Sequence, residues 1–137
     1  MEIYSIKFYK TAAEFIADLD RQISDLETAV KSLEPQVEQL KGAAERYRKI
    51  QELLRRFKQS EAGAPALEIT GLSIYIDPSP ITKYEIYGQS YAHMLDVLSV
   101  MKKVREVANS VIQEGGLGDA AVAVQFKDGI PVKLVVL

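Results

Sequence analysis

The chain has 137 residues and a formal net charge of −2, and 47% of its residues are hydrophobic while 26% are charged. These values are typical of one folded domain, and they exclude a disordered tail, a collagen-like repeat and a two-domain enzyme. The chain contains no cysteine. This excludes disulfides, thiolate nucleophiles, iron–sulfur ligation and the usual structural zinc sites.

The N-terminal stretch from Ile3 to Tyr9 alternates, with Tyr4, Ile6 and Phe8 on one side, which is the period of a half-buried strand. A signal peptide has a basic start followed by an apolar core instead. No run in the chain reaches the roughly 20 apolar residues that a membrane helix needs, and a net charge of −2 creates no overall attraction to DNA or an anionic membrane. We therefore expect a cytoplasmic protein with no membrane partner.

A long helix is predicted to follow the first strand. Thr11 and Glu14 have the spacing of a capping box, so the helix should begin near Thr11 or Ala12. Apolar residues then recur at alternating steps of three and four, which predicts the seam of a coiled coil over residues 12–60. The residues predicted to form an oligomer interface are Ile16, Leu19, Ile23, Leu26, Val30, Leu33, Val37, Leu40, Tyr47 and Leu54.

Pro35 leaves two alternatives for this segment. Proline lacks the N–H that a helix interior uses, so Pro35 either kinks one long helix or begins the second helix of a hairpin. A hairpin needs a loop of about two to five residues, which would normally reset the heptad phase. The phase continues through Pro35 and Gly42, and both residues fall on the side away from the seam. We therefore favour one long helix.

Charges beside the seam favour an antiparallel pair of helices. The acidic positions occupy the first half of the segment and the basic positions the second half, so an antiparallel partner would pair opposite signs. The β-branched and leucine positions of the seam have the pattern of parallel dimers instead. We favour a homodimer with antiparallel helices. The predicted pairs are Asp20 with Arg55, Glu27 with Arg48, and Glu34 with Lys41.

Two short strands are predicted after the helix. Leu67 to Ile76 alternates with a change of phase at Gly71, which indicates one strand with a β-bulge. The sequence from Asp77 to Pro80 predicts a turn, because its prolines cannot donate to a ladder. Ile81 to Tyr87 is predicted to return as the next strand, which Gly88 ends.

The C-terminal third predicts a second helix and two strands. The helix should run from Ser90 to about Gln113 and end at Gly115 and Gly116. Strands over 120–127 and 130–137 should flank a tight turn at Asp128 and Gly129.

The order is therefore β-α-β-β-α-β-β. This predicts a single α+β domain over residues 1–137 with an antiparallel sheet of about five strands, ferredoxin-like with an added C-terminal strand. The coiled-coil arm, residues 12–60, is inserted between the first and second strands. An α+β arrangement of this kind supports many activities and implies none by itself.

No catalytic, metal-binding or cofactor-binding constellation is recognisable. His93 is the only histidine, and neither a nucleophile elbow nor a zinc-protease motif is present. The glycine-rich stretch Gly115–Gly118 follows a helix, whereas phosphate-binding loops precede one. We expect no enzyme activity and no cofactor.

The length of the first helix predicts self-association. About 50 residues at 1.5 Å each span ~75 Å, while five strands are only about 25 Å across. A projecting apolar stripe must be covered, and a second copy of the chain is the simplest partner. We expect a structural or adaptor protein that self-associates or binds another protein.

The alternative is a nucleic-acid-binding module. The basic segment from Arg46 to Lys58 interleaves cations with Tyr47 and Phe57, a combination that can follow a phosphate backbone. Acidic residues of a partner helix could neutralise the same cations, and we favour that interpretation. The candidate contacts are Arg46, Arg48, Lys49, Arg55, Arg56 and Lys58.

Overall fold

The computed structural model describes residues 2–56 and 66–137. These residues form two helices and five strands, so the predicted α+β class is confirmed. The elements in chain order are β1 (Tyr4–Tyr9), α1 (Ala12–Arg56), β2 (Ala66–Ile69), β3 (Leu72–Tyr75), α2 (Pro80–Glu114), β4 (Val122–Lys127) and β5 (Ile130–Val136).

The strands form two separate antiparallel sheets. One sheet has the order β1-β4-β5 with β4 in the centre, and the other contains only β2 and β3. The expected single sheet of about five strands is therefore wrong, and the ferredoxin-like arrangement is not confirmed. Chain order alone did not reveal that β2 and β3 pair only with each other.

Helix α1 is continuous for 45 residues and contains Pro35, so the choice of one long helix over a hairpin is confirmed. The backbone N–H of Glu14 donates to Thr11 Oγ1 at 3.2 Å, as a capping box requires. The N–H of Ala12 donates to the carbonyl of Ala120 at 2.8 Å, so the loop before β4 satisfies another free donor of the helix start. Residues 57–60 of the predicted arm lie outside the described residues.

The segment predicted as one bulged strand is a hairpin. Thr70 and Gly71 connect β2 and β3, and both have positive φ, 54° and 81°. Two consecutive residues with positive φ are the mark of a type I′ turn. The change of phase at Gly71 was therefore a chain reversal rather than a bulge.

The predicted strand over Ile81 to Tyr87 is also wrong, because these residues form the first turns of α2. Ser79 caps the helix, since its Oγ accepts the N–H of Thr82 at 3.3 Å, and Pro80 occupies the first helical position, where no N–H is needed. Helix α2 therefore has 35 residues and begins ten positions earlier than predicted.

The predicted end of α2 is confirmed. The helix stops at Glu114, and Gly116 takes a φ of +62°. The N–H of Leu117 returns to the carbonyl of Ile112 at 2.8 Å. This is the glycine-terminated cap that the sequence indicated.

The chain divides into two compact units. The first contains the residues up to Ala29 and those from Met94 onward, and the second contains Val30–His93. In the first unit, helices and sheet share a core whose fully buried large side chains are Phe15, Leu19, Val122 and Val124. In the second unit, the buried side chains of the described residues are Val30, Val37 and Ala44, all on α1.

Candidate interaction surfaces

The predicted seam of α1 is largely covered by the chain itself. Buried positions continue along the seam as far as Ala44, and beyond Ala44 the described seam positions are half-buried or exposed. Of the predicted interface residues, Ile16, Leu19, Ile23, Val30 and Val37 are buried, Leu26, Leu33, Leu40 and Tyr47 are half-buried, and Leu54 is exposed.

Ion pairs join α1 to α2 within the first unit. Asp20 accepts two hydrogen bonds from the Arg105 guanidinium, at 2.8 Å from Nε and 3.3 Å from Nη2, and this raises the pKa of Arg105. Glu27 lies 3.9 Å from Lys102 Nζ. Residue numbers rise along α1 while those of the partners fall along α2, so the helices run antiparallel. Asp20 and Glu27 thus have partners in their own chain.

In the second unit the two helices flank an open groove of about 680 Å³. Leu40, Ala43 and Arg46 line it from α1, and Lys83 and Tyr87 line it from α2. The same two helices are therefore neighbours in this unit as well.

The predicted basic segment is solvent-facing. Arg56 lies 3.5 Å from Glu52, one turn earlier on the same helix. The candidate contacts Arg46, Arg48, Lys49, Arg55 and Arg56 are all exposed. Lys58 lies outside the described residues.

The two faces of the sheet in the first unit differ in exposure, most of all on β1. Val122, Val124 and Phe126 of β4 are buried on one face, here called the covered face. The other face, here called the outer sheet face, carries Tyr4, Ile6 and Phe8 of β1, opposite Lys127, Gln125 and Ala123 of β4 respectively. On β4 this face is half-buried at Lys127 and Gln125 and buried at Ala123. The exposed fractions of Tyr4, Ile6 and Phe8 are 54%, 57% and 71%. The expected half-buried strand therefore turns its apolar side to solvent.

The sequence predicted the alternation of β1 but not which side of the strand faces the core. A strand can present either side to the core, and the apolar side is the usual choice. Lys7 and Tyr9 are the residues that could have indicated the correct side, because their polar groups contact Asp18 on α1. Lys7 Nζ also lies 5.6 Å from the centre of the Phe126 ring.

The free backbone groups of β1 belong to the same apolar residues. The N–H of Asp128 donates to the carbonyl of Ile3 at 2.8 Å, in continuation of the β1–β4 register. Bonded positions alternate along an antiparallel edge strand, so Ser5, Lys7 and Tyr9 bond to β4. The N–H and C=O groups of Tyr4, Ile6 and Phe8 point away from the sheet.

The other edge strand, β5, borders an apolar groove of about 540 Å³ beside α2. The strand itself is irregular, because it contains Pro131 and its register with β4 shifts between Gln125 and Phe126. The apolar lining of the groove includes Val104, Val107, Val111, Val132, Leu134 and Val136.

The β2–β3 hairpin also has an apolar face. Leu67 pairs with Ile74, and Ile69 pairs with Leu72, so these four side chains share one side. Leu67, Ile69 and Leu72 are exposed. A two-stranded hairpin alone is marginally stable, and this face adds apolar surface to the second unit.

A polar cluster around Asp18 was not anticipated. The Tyr9 hydroxyl donates to Asp18 Oδ2 at 2.6 Å, and Gln22 Nε2 donates to the same oxygen at 3.1 Å. Arg21 pairs with the other oxygen, and Lys7 Nζ lies 3.9 Å away. The Tyr9 hydrogen bond, with Arg21 and Lys7, lowers the pKa of Asp18 although burial opposes it. Burial, together with Asp18, raises the pKa of Tyr9.

The described residues contain no group of three or more His, Asp or Glu side chains placed to hold a metal ion. His93 is exposed. Within the same described residues, no helix has the length and apolar character needed to cross a membrane.

The Asp18 cluster holds β1 against α1, and its residues satisfy one another's hydrogen-bonding groups.

Comparison with known proteins found no match to this chain among family models, curated proteins or solved structures.

Proposed function

We propose that this chain is a non-enzymatic structural or adaptor protein that binds a second copy of itself. The outer sheet face is the observation that carries the proposal. An antiparallel sheet with one covered face normally presents polar residues on the other, and monomers rarely leave a contiguous apolar patch uncovered. Here Tyr4, Ile6 and Phe8 are three successive outward side chains, and each is more than half exposed.

We also propose that α1 and α2 form an antiparallel coiled coil within each chain. The heptad pattern of α1, the buried positions as far as Ala44 and the two ion pairs to α2 support it. The seam of α1 is then used internally. The second copy is assigned to the sheet instead of to the predicted antiparallel α1–α1 contact, because Asp20 and Glu27 are already paired in their own chain.

Light scattering after size-exclusion chromatography tests self-association. The expected mass is twice the 15.3 kDa of one chain. Ile6→Asp should shift the mass to that of one chain, because it replaces an apolar side chain of β1 with a charge that disfavours contact with a second copy carrying the same charge. Val107→Asp is the matched control, since Val107 is 65% exposed in the same unit but lies on α2. A monomeric wild type at micromolar concentration would overturn the proposal.

The exposed basic segment supports a second candidate function, nucleic-acid binding. Five exposed cations lie within residues 46–56, and phosphate contacts make affinity fall steeply as salt rises. Arg48→Glu with Lys49→Glu should abolish a gel shift with single- or double-stranded probes, whereas Lys133→Glu on β5 should not. Absence of any shift at low salt would contradict this candidate.

A further inference from the structure

Among the described residues, no strand pairs with the outer edge of β1, and the side chains along this edge are apolar. Tyr4, Ile6 and Phe8 direct their N–H and C=O groups away from β4, and their side chains lie on the outer sheet face. An edge strand of this kind is a template for pairing with another strand. Proteins usually guard such an edge with a charge, a proline or a bulge.

The charged side chain of β1 is directed toward its own chain and does not protect the edge. Lys7 is the only charged residue within the strand, and its Nζ lies 3.9 Å from Asp18 and 5.6 Å from the Phe126 ring centre of its own chain. Edge strand β5, in contrast, contains Pro131 and a shift of register, which are two of the features that discourage pairing. The two edge strands therefore differ, and β1 is the one that lacks the features that discourage strand pairing.

We infer that β1 pairs antiparallel with β1 of a second copy about a two-fold axis at Ile6. The pairing joins two three-stranded sheets into one continuous sheet of six strands. This inference rests on the proposed self-association and places the contact along the edge of β1 that borders the outer sheet face.

The residues of β1 are self-complementary in this register. Ile6 lies opposite Ile6 of the partner subunit, and Tyr4 lies opposite the partner's Phe8. Aromatic and aliphatic pairs directly across a ladder are stabilising. All three of these side chains are at even positions and share the outer sheet face.

The free backbone groups of β1 fit the same register as its side chains. Ile6, Tyr4 and Phe8 are the positions whose polar groups are free, so the Ile6–Ile6 pair and both Tyr4–Phe8 pairs exchange N–H···O=C bonds in both directions. On the opposite face, Ser5 lies across from the partner's Lys7. The lysines are therefore not placed against each other.

Neighbouring registers are worse. A two-fold axis at Lys7 places two lysines directly opposite, and like charges in that position are destabilising. An axis at Ser5 leaves Phe8 opposite position 2 of the partner subunit, outside the strand. Only the axis at Ile6 places all three apolar side chains of β1 opposite apolar side chains of the second copy.

Single-cysteine variants test this register, because the natural chain contains no cysteine. In a hydrogen-bonded antiparallel pair the Cα atoms are ~5.5 Å apart, within the range that a disulfide spans. Ile6→Cys should therefore form a covalent dimer when copper–phenanthroline and oxygen are added. Phe8→Cys is the matched control, since two copies of position 8 are displaced by four residues, about 14 Å, and should not link.

If disulfides formed by random collision, Phe8→Cys would link more efficiently than Ile6→Cys, because Phe8 is more exposed than Ile6. Efficient linking of Ile6→Cys, at least tenfold above Phe8→Cys on a non-reducing gel, supports the register. Equal linking of both variants overturns it. A chain that is dimeric by light scattering while Ile6→Cys fails to link would overturn the β1 pairing and leave self-association standing, whereas a monomeric chain would overturn both.

Discussion

The hydroxyl of Tyr9 donates a 2.6 Å hydrogen bond to Oδ2 of Asp18, which joins the last residue of β1 to the second turn of α1. Lys7, two residues earlier, also approaches Asp18. Lys7 and Tyr9 are therefore used within the chain, and Tyr4, Ile6 and Phe8 are left facing out. This division is the structural basis for assigning β1 to a second copy.

Tyr9→Phe should weaken the attachment of β1 to α1. A hydrogen bond to a charged acceptor is worth about 1.5–3 kcal/mol, and removing its donor leaves the partly buried Asp18 with one partner fewer. The free energy of unfolding, measured with urea, should fall by about that amount. Tyr4→Phe is the control, because its hydroxyl meets Glu2 at an exposed site, and an equal loss in both variants would contradict this assignment.

The pH dependence of stability should contain a contribution from Asp18. Its pKa in the folded chain is lowered by Tyr9, Arg21 and Lys7, so the carboxylate stabilises the fold above its unfolded pKa of about 3.9 and loses this effect as pH falls through the folded pKa. Asp18→Asn should therefore be less stable than wild type at pH 6, with a difference that narrows below pH 4. A difference that is constant from pH 6 to pH 2 would rule out this linkage.

The sequence predicted much of the chain because several signals were local. Thr11 with Glu14 indicated the start of α1, and the unbroken heptad phase correctly favoured one helix through Pro35. Gly116 indicated the end of α2. Each of these positions satisfies or releases backbone hydrogen bonds within a few residues.

The start of α2 was mispredicted because two local patterns competed. Ile81 to Tyr87 is rich in β-branched and aromatic residues, which favours a strand. The stronger signal was Ser79 followed by Pro80, a capping residue before a proline at the first helical position. The early start matters, because the longer α2 lies beside the second half of α1, where the sequence alone predicts a second copy.

The outer sheet face could not be predicted because it depends on distant residues. Which side of β1 is covered is decided by contacts with Asp18 on α1 and with Phe126 on β4, and neither is evident from the alternation of Tyr4, Ile6 and Phe8. The separation of β2 and β3 from the larger sheet is likewise a property of tertiary structure.

Val37→Asp should distinguish the helical seam from the interface. Val37 is buried on α1, and a carboxylate there should lower the free energy of unfolding by about 3 kcal/mol, with a lower midpoint in a thermal melt. The mass in solution should remain that of a dimer, since β1 belongs to the other unit. Dissociation without loss of chain stability would instead assign the seam to contacts between copies.

Ile6→Pro should distinguish the hydrogen bonds of β1 with β4 from the proposed hydrogen bonds of β1 with a second copy. Its N–H points away from β4, so proline removes no bond within the chain but removes a bond to the second copy, and its ring is tolerated at an edge position of this kind. We expect a folded monomer by circular dichroism and light scattering. Lys7→Pro, which removes an internal ladder bond, should lower stability instead, and a dimeric Ile6→Pro variant would argue against strand pairing.

Thr70→Asn should stabilise the β2–β3 hairpin. Thr70 has a φ of 54°, a conformation that is costly for a β-branched residue and that asparagine adopts readily. Hydrogen exchange of the hairpin amides should slow by about fivefold, equivalent to ~1 kcal/mol. Gly71→Ala should act in the opposite direction, since Gly71 has a φ of 81°; faster exchange in the asparagine variant would contradict the turn assignment.

Amide hydrogen exchange along β1, resolved by residue, tests the central claim most directly. If a second copy covers this edge, the amides of Tyr4, Ile6 and Phe8 should be protected together with those of Ser5 and Lys7, and their protection should decline on dilution. If Ser5 and Lys7 are protected while Ile6 exchanges as fast as an unfolded peptide at every concentration, β1 is a free edge and no second copy is bound there.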